Sequence, residues 1–149
     1  MMNTRAVLDA NVFVSGLITP QGFSGRILKS LQIDDAFELV LSKAILEELE
    51  RTLNYPKVRK HLKLSDPEIR QTLAAIEFIA DLVPGVAISP VKISDKDDIK
   101  YLTAAMEGRV AYLVSGDSDL LCLGEYEGIS IVTPKVFFEL LQSAVGRNF

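Results

Sequence analysis

Four short, nearly continuous apolar runs constrain this chain more than any other feature. They are Arg5–Leu8, Phe37–Leu41, Val110–Val114 and Ile129–Val132, with a weaker run at Val86-Ala87-Ile88. Strands with one wet face alternate apolar and polar side chains, whereas strands covered on both faces read as unbroken apolar stretches, as in parallel sheets. The segments between the runs carry helix signals. Ser42 caps a helix over Lys43–Leu53, and Ser65-Asp66-Pro67-Glu68 is a capping box that opens a helix over Glu68–Asp81. Asp95 or Ser94 starts a further helix that stops at Gly108, and Thr133-Pro134 starts a last one reaching about Ala144. Gly22-Phe23-Ser24-Gly25 lacks the lysine and spacing of a phosphate-binding loop and reads as a turn before a helix over Gly25–Leu31. This alternation predicts an α/β fold, a three-layer α/β/α sandwich around a mainly parallel sheet.

At 149 residues the chain is expected to form one domain, and chains of this size bury roughly 70% of their unfolded surface. A mean hydropathy of +0.23 with 24% charged residues excludes a disordered chain. No apolar run reaches the ~18 residues of a spanning helix, so no membrane partner is expected. Asp9 interrupts the first apolar stretch, against a signal peptide. The lone Cys122 excludes an internal disulfide framework and a multi-cysteine zinc site. It suits a reducing, cytoplasmic setting.

The acids fall where ligands bind in open parallel sheets, beyond the carboxyl ends of the strands. Asp9 follows the first run, with Asn11 two residues on, and Asp117 and Asp119 follow the run that ends at Val114. Asp98, Tyr101, Leu102 and Ala105 share helical spacing, so Asp98 opens an inward-facing stripe. In the helix over Lys43–Leu53, Glu48 and Glu50 flank the apolar stripe on opposite sides, and periodicity does not choose between them. No sequence-adjacent lysine or arginine is there to neutralise these acids. Clustered carboxylates repel, and the usual compensation is a hard divalent cation such as Mg²⁺. Paired cations of this kind serve phosphoryl chemistry.

These residues resemble the PIN-domain family, and more narrowly its prokaryotic members from toxin–antitoxin pairs. Val7-Leu8-Asp9-Ala10-Asn11-Val12 is similar to the family's first motif. Ser42 with Glu48-Leu49 resembles the second and selects Glu48. Asp95-Lys96-Asp97-Asp98 with Lys100-Tyr101-Leu102 and Ala105 behind it resembles the third, and Val114-Ser115-Gly116-Asp117-Ser118-Asp119-Leu120-Leu121 the fourth. The resemblance implies a five-stranded sheet in the order 3-2-1-4-5 and Mg²⁺- or Mn²⁺-dependent cleavage of RNA. It makes Asp9, Glu48, Asp98 and Asp117 the metal-binding acids, Asp119 an auxiliary acid, and Asn11 and Ser115 their hydrogen-bonding supports. An antitoxin protein and a homodimer are the partners it implies. The alternative it leaves is a PIN-like module that binds RNA or a partner with little or no catalysis.

Arg51, Lys57, Arg59 and Lys60 form a basic segment with Tyr55 and His61 interleaved, which reads either as an RNA-tracking surface or as a solvated face. The net charge of −4 becomes +1 without Asp9, Glu48, Asp98, Asp117 and Asp119, so the acidity belongs to the expected site. An aspartyl-phosphate phosphatase also begins with an aspartate after its first strand. It would want a second acid where this chain has Asn11.

Overall fold

The fold is a computed structural model that describes residues 4–86 and 96–146. Each of the four stronger apolar runs becomes a strand of one sheet. In chain order the elements are β1 (Arg5–Leu8), α1 (Ala10–Ile18), α2 (Phe23–Asp34), β2 (Glu38–Ser42), α3 (Lys43–Leu53), α4 (Pro56–Arg59), α5 (Asp66–Ile79) and β3 (Asp81–Val83). A 3₁₀ turn (Lys96–Asp98) then leads into α6 (Ile99–Glu107), β4 (Tyr112–Val114), α7 (Ser118–Leu123), β5 (Glu125–Tyr126), β6 (Ile129–Val132) and α8 (Pro134–Gly146).

The sheet order is β3-β2-β1-β4-β6-β5. All pairings are parallel except β5 against β6. The expected five-strand order is therefore present, with one short antiparallel strand added at the edge. That strand arises from a two-residue hairpin: Glu127 and Gly128 take φ of 50° and 82°, and Tyr126 pairs with Ile129. Two consecutive left-handed residues match the twist of a tight hairpin. The central strands are dry on both faces, with Ala6, Val7, Leu8, Leu39, Val40, Leu41, Leu113 and Val114 all buried. Helix α6 packs on β1, β2 and β4, while α8 packs on α2 and β4.

The third strand lies earlier than expected. The helix before it ends at Ile79 rather than Asp81, and Asp81–Val83 pairs with Val40–Ser42. Pro84 brings no N–H to extend the ladder, and Gly85, at φ 76°, turns the chain away. Val86 stays exposed outside any strand, and the rest of the expected run, Ala87 and Ile88, lies outside the described residues. The caps expected at Ser94 and Asp95 also lie outside them. Helix α2 starts two residues before Gly25 and continues to Asp34, beyond the expected end at Leu31.

Candidate metal centre at the carboxyl edge of the sheet

Neighbouring parallel strands end side by side, so whatever follows β2, β1 and β4 is brought to one edge. At the end of β1 the Asp9 N–H donates to the carbonyl of Val114 in β4, at 3.0 Å. Asp9 is also the N-cap of α1, its Oδ1 accepting from the Asn11 backbone N–H at 2.8 Å. Its Oδ2 accepts from the Ser115 hydroxyl at 2.7 Å. The same hydroxyl accepts the Asp117 N–H at 2.9 Å, so Ser115 links the first and fourth motifs. Asp117 in turn caps α7, accepting the Asp119 N–H at 2.9 Å.

Asp9 is only 3% exposed. Burial pushes its carboxyl above the usual aspartate range; the hydrogen bonds from Ser115 and Asn11 pull the other way, and the charges of Glu48 and Asp117 add to the rise. Glu48 is linked to the residue after Asp9 through the Tyr101 hydroxyl, and Asp117 to Asp9 through the Ser115 hydroxyl. Asp98 is buried at the start of α6, and Tyr101, Leu102 and Ala105 bury the rest of its stripe, as the helical spacing requires. One carboxylate oxygen from each of Asp98, Asp117 and Asp119 lies within 4.8 Å of the others. Three hard oxygen donors at that spacing suit Mg²⁺ or Mn²⁺, which prefer carboxylates and retain waters. Thus Asp119, expected as an auxiliary acid, stands in the same close group as Asp98 and Asp117.

Glu48 lies on α3, where Ser42 caps the helix by accepting the Ile45 N–H at 3.4 Å. Its side chain faces the edge, whereas Glu47 and Glu50 are exposed. Two partners were not read from the sequence. Lys100 Nζ lies 2.9 Å from Glu48 Oε2, so a lysine distant in sequence reaches the acid edge where no sequence-adjacent one was found. The Tyr101 hydroxyl donates to that same oxygen and accepts the Ala10 N–H at 3.2 Å. A polar-tipped residue inside the stripe behind Asp98 was the available signal for Tyr101. Lys100 stands in the third motif, but nothing local announced its pairing, because Glu48 lies 52 residues away on another helix. Asn11 supports Asp9 through its backbone N–H, and its side chain is exposed.

The basic segment does not form one helix. Arg51 lies in the last turn of α3, Lys57 and Arg59 in α4, and Lys60 just after it. Arg51, Lys57 and Lys60 are exposed, while Arg59 is paired with Asp66 at the start of α5.

The PIN domain family profile matches residues 5–119, and the chain belongs to that family. It is 31% identical over 144 residues to the uncharacterized protein MJ1680 of Methanocaldococcus jannaschii, a match covering 91% of this chain and 90% of that protein. Among solved structures it resembles PAE2754 from Pyrobaculum aerophilum, with a TM-score of 0.62 at 14% identity over 94% of this chain and 90% of that one. It also resembles VapBC2 from Rickettsia felis, solved bound to a DNA fragment from their promoter. That likeness has a TM-score of 0.55 at 13% identity, over 87% of this chain and 98% of that one. At such identities the two structures speak to the fold.

Proposed function

We propose that this PIN-domain chain is a metal-dependent endoribonuclease and the toxin of a toxin–antitoxin pair. The observation that carries the reading is the grouping of Asp98, Asp117 and Asp119 oxygens within 4.8 Å, beside a buried Asp9. Asp98, Asp117 and Asp119 would hold the cation, with Asp9 and Glu48 closing the acid edge from β1 and α3. A divalent cation held there would supply activation of a water and stabilisation of the leaving oxygen in hydrolysis of an RNA phosphodiester.

The chain's own groups orient that edge. Ser115 fixes one oxygen of Asp9, and the Asn11 N–H fixes the other. Arg51, Lys57 and Lys60 supply exposed positive charge for the RNA backbone. For an antitoxin, the described surface offers an apolar cleft of about 230 Å³ between α1, α2 and α5, lined in part by Phe13, Leu17, Leu28, Leu31 and Ile76. No helix among the described residues is long and apolar enough to cross a membrane.

One observation favours the alternative of a binding module with weak catalysis: Lys100 already neutralises Glu48. Cleavage of a pooled RNA set separates the two. The nuclease cuts in Mn²⁺ or Mg²⁺ and loses at least ~10² in turnover on Asp98→Asn, the scale of removing one positioned electrostatic group. A module binds the RNA and leaves it intact.

A further inference from the structure

Tyr101 is 2% exposed, and a phenylalanine would fill the same volume without bringing a hydroxyl into the interior. A buried hydroxyl is costly unless it is hydrogen-bonded. Here both of its capacities are used, and both lead to the acid edge. The phenol donates to Glu48 Oε2 on α3 and accepts the Ala10 N–H, one residue after Asp9. Tyr101 itself stands one turn after Asp98. One side chain from α6 therefore ties the acid of α3 to the junction of β1 and α1.

Glutamate on a helix surface samples several rotamers, and a buried donor to its carboxylate selects one. Lys100 reaches the same oxygen from the rim, at 2.9 Å, with 19% of its side chain exposed. The two donors differ in kind. The ammonium sits on a flexible stem and can move off when another cation arrives, whereas the phenol is fixed by the packing of its ring. Both donors meet at Oε2, so the second carboxylate oxygen, Oε1, is not the one they hold.

We propose that Tyr101 is a positioning residue that presents Glu48 to the bound divalent cation. The inference rests on the metal-dependent reading of the site. Tyr101 touches neither substrate nor cation and acts through Glu48.

The test is a double-mutant cycle on Mn²⁺ affinity, measured by titration calorimetry on the full chain. It compares wild type, Tyr101→Phe, Glu48→Ala and the double variant. Tyr101→Phe should weaken Mn²⁺ binding at least fivefold and lower kcat for RNA while leaving KM nearly unchanged. In the Glu48→Ala background it should cost no further affinity. Thermal melts in EDTA confirm that each variant is folded, so affinity is compared between folded proteins. Wild-type affinity and kcat in Tyr101→Phe, or losses that add in the double variant, would overturn the inference. Wild-type protein that binds Mn²⁺ without cutting RNA overturns the nuclease reading alone, and the affinity cycle still decides the role of Tyr101. Wild-type protein that binds no Mn²⁺ overturns both.

Discussion

Ser115 and Asp9, 106 residues apart in the chain, meet at 2.7 Å through the Ser115 hydroxyl and the Asp9 carboxylate. The same hydroxyl accepts the Asp117 N–H, so one fully buried oxygen sets the spacing between two acids on adjacent strand ends. Ser115→Ala leaves a buried carboxylate oxygen short of a donor and a backbone N–H short of an acceptor. We expect a loss of about 1–3 kcal/mol in unfolding free energy, read by urea denaturation. Turnover should fall as well, because Asp9 and Asp117 lose their common tether.

Asp9 gives a pH dependence with a definite sign. Its folded carboxyl titrates above the ordinary value of 3.8, chiefly because of burial. The native state therefore holds this proton more tightly than the unfolded chain. The resulting stability is fully present below the ordinary value and is lost as pH rises through the elevated folded one. In EDTA, Asp9→Asn should melt higher than wild type near pH 7, since asparagine still caps α1 and carries no buried charge. Its advantage should shrink toward pH 3, where the wild-type carboxyl is protonated in both folded and unfolded chains. Melting curves between pH 3 and 8 check both expectations.

At the opposite end of the strands, Arg5 joins three elements. Its guanidinium bonds Glu38 at 2.9 Å and Asp81 at 2.7 Å, and its Nε donates to the Gly108 carbonyl at 2.9 Å. The two carboxylates are partly solvated, and such pairs are worth under about 1 kcal/mol each. Arg5→Gln should therefore cost only about 1 kcal/mol globally. Its larger effect should be local, as faster amide hydrogen exchange in β3, the short edge strand that Asp81 begins.

The basic segment divides into exposed charges and one that is paired. Neutralising Arg51, Lys57 and Lys60 together should weaken RNA binding and flatten its salt dependence. The slope should fall by roughly 0.7 for each phosphate no longer neutralised, the single-strand value. Arg59→Gln alone should do less, because its guanidinium is held by Asp66. Binding measured across a salt series distinguishes the two variants.

The sheet was legible because apolar runs report strands buried on both faces, and β1, β2, β4 and β6 all fall on such runs. The capping box at Ser65 and Glu68 forms as read, with both hydrogen bonds present. The edges were less legible. Strand β3 is mostly exposed and three residues long, so little apolar burial marks it, and a Pro-Gly break fixes its end. Strand β5 has two residues and exists through the Glu127-Gly128 turn. Helix α1 buries Val12, Phe13, Val14 and Gly16 and exposes only the narrow polar row of Asn11 and Ser15, a weak mark of helical periodicity. At the site, strand ends announced Asp9, Asp117 and Asp119, and the stripe announced Asp98. The contacts of Glu48 with Lys100 and Tyr101 join separate helices, and no local spacing encodes them.

The central claim is that the acids at the carboxyl edge form a cation site and are not merely helix caps. Thermal unfolding of wild type and Asp98→Asn, with and without Mg²⁺, tests it most directly. Mg²⁺ at ~100 times its dissociation constant should stabilise the wild type by about 2.7 kcal/mol, and the variant by clearly less. A wild type that melts at the same temperature in saturating Mg²⁺ and in EDTA, or a variant that gains as much as the wild type, would contradict the account.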